Sequence, residues 1–277
     1  MSAPAPDLRD FPGLLVLVGA GKMGGALLEG WLRLRLDPGH VAVIEPNPSA
    51  HVTGLGERGV KLNPDMRKLS NVAAVVIAVK PQIAAEVLPA VAPVVGASTL
   101  VVSIMAGRKL QSLAGTLKDA GALVRAMPNL PAFIGHGITV AVPLRASKAQ
   151  RNLVDRLLSA TGMVVWVEDE GMLDAVTAVS GSGPAYVFLL AEALAQAGTA
   201  AGLPQQLAAQ LARETVAGAG ALLHESKLDP AALRAAVTSP GGTTAAALEV
   251  LSGADGLSHL LNKAVAAATA RSRKLAE

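Results

Sequence analysis

The stretch LLVLVGAGKMGGALLEG, residues 14–30, decides the fold of this 277-residue chain. Five apolar residues suit a buried strand, and Gly19, Gly21 and Gly24 follow in a G-x-G-x-x-G spacing. Because the chain has 28 glycines, the spacing alone is weak evidence. Here, however, it directly follows a strand-like run and opens a helical one, which is the context of a turn that binds a dinucleotide pyrophosphate.

Each glycine of this motif has an expected task. Gly19 makes the tight turn, Gly21 lets the backbone approach the pyrophosphate, and Gly24 lets the helix lie close to the strand. The free N–H groups at the helix N-terminus then face the phosphates. Lys22 and Met23, inside the motif, are further candidates for cofactor contact. A solvated loop lysine is the alternative for Lys22, and a purely structural turn is the alternative for the whole motif.

Apolar runs and helical stretches alternate through the first part of the chain. The runs cover residues 14–19, 41–45, 72–80, 98–104, 121–127, 137–142 and 163–168. Continuous apolar runs of this kind indicate buried parallel strands in βαβ units. We therefore expect an α/β fold, with a flexible tail over residues 1–13 and an N-terminal Rossmann dinucleotide-binding domain over residues 14–168.

The rest of the chain, residues 169–277, is rich in Ala and Leu and has no strand-like run. Breaks are expected at 180–184, 198–204, 226–230 and 239–243, which gives an all-helical C-terminal domain. With only 2% aromatic residues, such a bundle leaves apolar faces exposed, so self-association is expected.

Composition excludes several other functions. There is no cysteine, so disulfides and thiolate chemistry are excluded, and no other metal-binding motif suggests a metal site. The net charge of +3 is scattered, which argues against nucleic-acid binding. Glu192 and Gln196 interrupt the most apolar helical segment, so we expect no transmembrane helix and a cytoplasmic protein.

Glu45 ends the second apolar run, where a carboxylate usually accepts hydrogen bonds from the adenosine ribose. There it favours NAD and repels the 2′-phosphate of NADP. Asn47, Ser49 and His51 follow closely and could bind a phosphate, so the choice between NADH and NADPH stays open.

No acid–base pair of a hydrolase is evident in the sequence. The five histidines lie far apart, and the acidic cluster Glu168-Asp169-Glu170 is interpreted as a solvated linker. A dinucleotide domain without such a pair is typical of hydride transfer, in which the cofactor carries the chemistry.

Five segments together resemble the Δ1-pyrroline-5-carboxylate reductase family. They are GAGKMG (19–24), AVKPQ (78–82), RAMPNLPAFIGHGIT (125–139), DAVTAVSGSGPAYVF (174–188) and TSPGGTTAAAL (238–248). The resemblance implies a Rossmann domain followed by a helical dimerisation domain. It also implies NADPH- or NADH-dependent reduction of a cyclic imine to L-proline, by a homodimer or a larger ring of dimers.

The resemblance also assigns residues to the cofactor site. Val79, Lys80 and Pro81 reach the nicotinamide side, and Asn129 is a further cofactor residue. This chain has Lys22 where Asn is common in the family. It also departs from the family at Leu130, Ala235 and Ala236. These departures concern the cofactor-side contacts rather than the class of reaction.

The segment TSPGGTT interrupts a helical region with a Pro and two glycines. A loop that leads into a helix leaves the N–H groups from Gly241 to Thr244 free, and these with the helix dipole suit a carboxylate. One of Thr243 and Thr244 is the expected N-cap. By the resemblance, Thr244 is the catalytic residue beside the ring nitrogen, while Ser239 and the following backbone, including Gly242, hold the carboxylate.

The segment SGSGPAY, residues 180–186, is expected to be a second capped helix start. Ser182 or Gly183 would be the cap and Pro184 the first helical residue. The loop with Ser182 would form another wall of the substrate site or a kink for helix packing.

Two rival functions remain open from sequence. A β-hydroxyacid dehydrogenase-like oxidoreductase shares the two-domain plan but needs a catalytic lysine, and residues 170–224 contain none. A non-catalytic nucleotide-binding protein has no use for the Pro-Gly-Gly-Thr-Thr loop.

Overall fold

The computed structural model describes residues 7–275 and divides the chain into two compact units. The first unit runs to Gly181 and takes in the chain from Thr269 onward, and the second is Ser182–Ala268. The domain boundary predicted from composition, between residues 168 and 169, lies ahead of this division.

The first unit is built on an eight-stranded sheet in the order β3-β2-β1-β4-β5-β6-β7-β8. Its strands are Leu14–Val18 (β1), Val41–Ile44 (β2), Lys61–Leu62 (β3), Val72–Ile77 (β4), Leu100–Ser103 (β5), Ala122–Met127 (β6), Gly137–Leu144 (β7) and Gly162–Trp166 (β8). All seven predicted apolar runs form strands, and the short edge strand β3 was not predicted.

Helices alternate with these strands. They are Lys22–Arg33 (α1), Ala50–Glu57 (α2), Ala84–Val91 (α3), Leu110–Thr116 (α4), Lys148–Leu158 (α5) and Met172–Val176 (α6). The order β1-α1-β2 is the predicted strand–turn–helix unit, so the glycine motif lies at the carboxyl end of β1, where such sheets bind ligands.

The prediction that all the strands are parallel is wrong for one pair. β6 and β7 run antiparallel, with Arg125 opposite Val142, while β7 and β8 are parallel again. Parallel pairing needs a crossover connection of about a dozen residues or more. Residues 128–136 hold only a short 3-10 turn, Leu130–Ile134, so β7 folds directly back along β6.

Apolar side chains cover both faces of the sheet, as the continuous runs predict. Leu15 and Leu17 of β1 pack in one cluster, whereas Val16 and Val18 pack in the cluster on the opposite face. Burial of each such side chain contributes about 1.5–3 kcal/mol, so β1 is anchored on both sides.

The prediction of a flexible tail over residues 1–13 is wrong for residues 7–13, and residues 1–6 lie outside the described residues. Leu8 and Phe11 are buried in the core, and Leu8 donates its N–H to Leu34 O over 2.8 Å. Arg156 binds the carbonyl oxygen of Asp7 and the carboxylate of Asp10. Two apolar anchors therefore hold this polar segment against the sheet.

The end of the chain also belongs to the first unit. Ser272, in the last helix, is buried and donates its hydroxyl to the Asp174 carboxylate over 2.7 Å. Ser272 is thereby held beside α6.

The second unit is helical. It contains Gly183–Ala200 (α7), Gln205–Glu225 (α8), Pro230–Ala236 (α9), Thr243–Leu251 (α10) and the first part of Leu257–Leu275 (α11). α7 and α8 approach closely through small residues, since a Cβ on Gly198 would lie 3.2 Å from the Cβ of Ala208. The predicted breaks near 198–204, 226–230 and 239–243 are confirmed, and the break at 252–256 was not predicted.

Large apolar side chains on these helices face outward. Phe188 is 56% exposed, Leu189 64% and Val250 77%. One helical segment among the described residues, Met172–Ala200, is long and apolar enough to span a membrane on length and composition alone.

Candidate active site

The glycine loop after β1 has the geometry that its spacing predicts. Gly19 has φ of +91°, and a Cβ there would lie 2.9 Å from the backbone of Ala78. A Cβ on Gly24 would lie 2.0 Å from Gly19 O, whereas a Cβ on Gly21 would meet nothing within 4 Å. Gly19 and Gly24 thus allow close backbone packing, and Gly21 faces open space.

The first turn of α1 offers free backbone donors. Gly21 is the N-cap residue and no side chain caps the helix. The first turn contains Lys22, which is exposed, and Met23, which is half-buried. An uncapped N-terminus with positive dipole beside a glycine that faces open space fits a pyrophosphate, so these residues suit a dinucleotide.

Glu45 lies directly against this loop. Its Oε2 accepts a hydrogen bond from Ala20 N over 2.9 Å, and its Oε1 accepts one from Asn47 N over 3.1 Å. The structure therefore brings Glu45 to the glycine loop, as expected for a residue at the end of the second strand.

The Val79–Pro81 turn follows β4, next to β1. Ala78 donates its N–H to Val18 O over 2.7 Å, which aligns the turn with the glycine loop. Lys80 is exposed. Arg108, which the sequence analysis did not select, donates from Nη2 to Pro81 O over 3.1 Å and supports the turn from the loop after β5.

Asn129 lies at the end of β6 and has a structural hydrogen bond. Its Oδ1 accepts from Ile138 N over 2.9 Å, which holds the start of β7. Its amide NH2 group and the second lone pair of Oδ1 are left for a ligand.

The acidic cluster is not simply a solvated linker, so that interpretation is wrong. Glu170 Oε1 accepts hydrogen bonds from Leu110 N and from Nη1 of the buried Arg125, both over 2.8 Å. Glu168 is exposed, and its hydrogen bond with the Arg151 guanidinium lowers the pKa of its carboxyl group. Glu170 was missed because its partners lie 45 and 60 residues away in sequence.

The predicted loop at 180–184 is also wrong. The chain stays helical from Met172 to Ala200, with a π-helical turn at Thr177–Gly181. Ser182 is the N-cap residue of α7, as predicted, but it has helical backbone angles and its side chain makes no capping hydrogen bond. A π turn takes up one extra residue without ending the helix. Pro184 lies in the first turn of α7, where its missing N–H costs nothing.

Gly181 of this turn faces the end of β6. A Cβ on Gly181 would lie 2.7 Å from Met127 Cε. Next to it, the buried hydroxyl of Ser180 has no hydrogen-bond partner within the described part of the chain. Residues 180 and 181, the only part of this segment in the first unit, therefore lie near the carboxyl end of β6.

In the second unit, the loop before α10 has two glycines in different settings. Gly241 has φ of +70°, which favours glycine, and a Cβ on Gly242 would lie 2.5 Å from Ser239 Oγ. The N–H of Gly242 donates to Ser239 O over 3.0 Å. The prediction of free N–H groups from Gly241 to Thr244 is therefore wrong for Gly242.

The N-cap of α10 is Gly242, so the prediction that Thr243 or Thr244 is the cap is wrong. α10 begins at Thr243, and its first backbone bond is from Ala246 N to Gly242 O. The N–H groups of Thr243 and Thr244 precede that bond and have no acceptor in the described part of the chain. Thr244 is half-buried, whereas Thr243 is exposed.

A cavity of about 570 Å³ lies beside this loop within the second unit. Arg234 and Glu249 contribute to its lining together with Gly241 and Gly242. Thr238 closes the end of α9 by donating its hydroxyl to Arg234 O over 2.6 Å. Arg234 is a cation close to the loop that the sequence analysis did not select.

Residues 7–275 contain no group of three or more metal-ligating side chains close enough to hold an ion.

Two family models match the chain. Residues 170–275 match the model described as pyrroline-5-carboxylate reductase dimerisation, and residues 14–107 match the model described as NADP oxidoreductase, coenzyme F420-dependent. The matched ranges cover the segment that carries the helices of the second unit and the first strands of the sheet.

Curated relatives match almost end to end. The chain is 37% identical over 265 residues to the pyrroline-5-carboxylate reductase of Pseudomonas aeruginosa, covering 95% of this chain and 97% of the relative. It is 39% identical over 268 residues to that of Pisum sativum, with 94% and 95% covered.

Solved structures agree. A pyrroline-5-carboxylate reductase from Coxiella burnetii superposes with a TM-score of 0.88 at 32% identity, covering 96% of this chain and 99% of that chain. Plasmodium falciparum pyrroline carboxylate reductase with NADP bound gives 0.78 at 27% identity, with 95% and 98% covered. The resemblance inferred from the five motifs is confirmed: the chain belongs to the pyrroline-5-carboxylate reductase family.

Proposed function

We propose that this chain reduces Δ1-pyrroline-5-carboxylate, a five-membered cyclic imine with one carboxylate, to L-proline with NADH or NADPH. This is the last step of proline biosynthesis. The end-to-end match to reductases of this name carries the assignment. A glycine loop that fits a dinucleotide and a second glycine loop that opens α10 support it.

The loop before α10 is proposed to hold the substrate. The free N–H groups of Thr243 and Thr244, with the positive end of the α10 dipole, suit the carboxylate. Ser239 and the backbone at Gly241 and Gly242 complete this anion site. The half-buried Thr244 places its hydroxyl at the ring nitrogen, whereas the exposed Thr243 contributes its backbone.

The cofactor is proposed to lie across the carboxyl ends of the strands in the first unit. Its pyrophosphate contacts the loop formed by Gly19, Gly21, Lys22, Met23 and Gly24, and its ribose contacts Glu45. Its nicotinamide side reaches Val79, Lys80, Pro81 and the amide group of Asn129. Arg108 keeps the Val79–Pro81 turn in place through its bond to Pro81 O.

When bound, the reduced nicotinamide supplies a hydride to the imine carbon. The ring nitrogen must then carry a proton, and a substrate that arrives as the iminium already has it. Thr244 then needs only to orient that nitrogen through its hydroxyl, so no strong acid is required of the chain. Ser182 remains a proposed wall of the substrate site, now on a continuous helix.

The chain is proposed to act as a homo-oligomer. The dimerisation model that matches residues 170–275 and the exposed apolar side chains of α7 and α10 support self-association. A dimer, or a larger ring of dimers, would cover these faces. A cytoplasmic location and the lack of nucleic-acid and membrane partners stay predictions from sequence.

The test is turnover by the purified protein. With pyrroline-5-carboxylate, oxidation of NADH or NADPH should produce an equal amount of L-proline. Oxidation of a 3-hydroxy acid without turnover of the imine would favour the β-hydroxyacid dehydrogenase alternative. The absence of lysine in residues 170–224 argues against that alternative. Binding of a dinucleotide without any turnover would favour the non-catalytic one.

A further inference from the structure

The Glu45 carboxylate is fixed at both of its oxygens. Oε2 accepts from Ala20 N, inside the glycine loop, and Oε1 accepts from Asn47 N, with distances of 2.9 and 3.1 Å. A carboxylate that accepts backbone N–H bonds at each oxygen loses rotational freedom, since a rotation would leave both donors unpaired.

Asn63 clamps the backbone of Glu45 from the end of β3. Glu45 N donates to Asn63 Oδ1 over 2.8 Å, and Asn63 Nδ2 donates back to Glu45 O over 2.9 Å. Asn63 is itself fixed, because its N–H donates to Val43 O over 2.8 Å. Main chain and side chain of Glu45 are therefore both held in one position.

Asn47, Ser49 and His51, which follow Glu45, offer a 2′-phosphate no unpaired positive charge, because the first two are neutral and His51 lies against a carboxylate. Ser49 caps α2 by accepting from Val52 N, and His51 pairs with Glu29 over 3.0 Å. The Asn47 N–H already donates to Glu45. Over residues 7–275, no Lys, Arg or His forms an ion pair with Glu45.

We propose that the fixed Glu45 carboxylate makes this chain selective for NADH over NADPH, with Asn63 as its positioning residue. The inference rests on the cofactor site of the proposed function. Each carboxylate oxygen has a second lone pair that can accept from a ribose hydroxyl. A 2′-phosphate would instead bring negative charge against a carboxylate that cannot turn away and that no cation neutralises.

The two hydrogen bonds that fix the Glu45 carboxylate distinguish it from a mobile acidic side chain. A mobile glutamate could swing into water and let a 2′-phosphate enter at small cost. Here that swing would break the hydrogen bond from Asn47 N and the one from Ala20 N, which lies inside the loop that also receives the pyrophosphate. Glu45 therefore cannot move away from a 2′-phosphate without losing its hydrogen bond to the glycine loop.

The test measures binding without turnover. Isothermal titration calorimetry of the full-length protein compares ADP-ribose with 2′-phospho-ADP-ribose, which differ only in the phosphate. Fluorescence titrations compare NADH with NADPH in parallel. The phosphorylated member of each pair should bind at least about tenfold more weakly, a ratio that corresponds to about 1.4 kcal/mol.

Two variants test whether the Glu45 charge causes this difference in affinity. Glu45→Gln removes the charge and should bring the two affinities to within about threefold of each other, since like-charge repulsion supplied the difference. Glu57→Gln is the matched control, because it also removes one carboxylate, which is exposed at the end of α2, the helix that follows Glu45. The control should keep the wild-type ratio.

Asn63→Gly tests the positioning role without backbone strain, because Asn63 has φ of +48°. It should lower the ratio by freeing Glu45, whereas a merely structural loss would weaken both ligands equally. Asn71→Gly is the control for this variant. Asn71 also has a positive φ, +56°, but it directly precedes β4, whereas Glu45 follows the carboxyl end of β2.

Equal or tighter binding of the phosphorylated ligands by the wild-type protein would overturn the inference and leave the proposed reduction intact. An unchanged ratio in Glu45→Gln would also overturn it. If the wild-type protein bound none of the four ligands, the cofactor site and the inference would both be wrong. The wild-type comparison decides the matter even if a variant does not fold.

Discussion

The buried guanidinium of Arg125, in β6, donates a hydrogen bond to the Glu170 carboxylate over 2.8 Å. The same oxygen accepts the N–H of Leu110 at the start of α4. One carboxylate therefore joins the sheet, a covering helix and the segment that leads into α6, all within the first unit.

Replacing Glu170 should destabilise the protein strongly. Glu170→Gln leaves the Arg125 cation buried without its counter-charge, which typically costs about 3 kcal/mol or more. Glu168→Gln is the matched control, since its exposed pair with Arg151 should change stability by no more than about 1 kcal/mol. Urea unfolding at one fixed protein concentration measures both, and equal losses would contradict the account.

Gly21 and Gly24 should fail in different ways when changed to alanine. A Cβ on Gly24 would lie 2.0 Å from Gly19 O, so Gly24→Ala should lower the melting temperature. Gly21→Ala meets no atom within 4 Å, so it should fold normally and bind NADH at least about tenfold more weakly.

Gly25→Ala is the control for both variants, because its nearest contact would be an ordinary 3.6 Å. Thermal unfolding and a fluorescence titration with NADH separate the two effects. Normal NADH affinity in Gly21→Ala would show that the pyrophosphate does not approach this residue.

The two threonines at the start of α10 should differ in their effect on turnover. Thr244→Ala removes the half-buried hydroxyl proposed for the ring nitrogen and keeps its backbone N–H. It should lower kcat by at least about tenfold, as loss of a transition-state hydrogen bond does. Thr243→Ala, the neighbouring control, should change kcat by less than about threefold. The reverse order would assign the role to Thr243.

Local sequence patterns predicted much of the fold. A continuous run of Val and Leu such as Leu14–Val18 can bury all of its side chains only in a sheet that is covered on both faces. The glycine spacing determines one local turn. The direction of β7 was not predictable in the same way. Its residues are apolar in either direction, and the short connection from β6 decided the pairing.

The errors in the candidate site have a common physical cause. Glu170 looked solvated because its partners, Arg125 and Leu110, are distant in sequence. A threonine looked like the cap of α10, yet Gly242 takes that place and packs closely beside Ser239 Oγ. The proposed site segments come from sequence, whereas tertiary contacts decided which of their atoms are free.

The central claim is that the chain reduces a cyclic imine whose carboxylate it recognises. Steady-state oxidation of NADH with pyrroline-5-carboxylate, compared with 1-pyrroline, which lacks the carboxylate, tests both parts at once. We expect L-proline as product and a kcat/KM at least about a hundredfold higher for the carboxylate-bearing imine, which corresponds to about 2.7 kcal/mol. No turnover of pyrroline-5-carboxylate, or equal kcat/KM for the two imines, would contradict it.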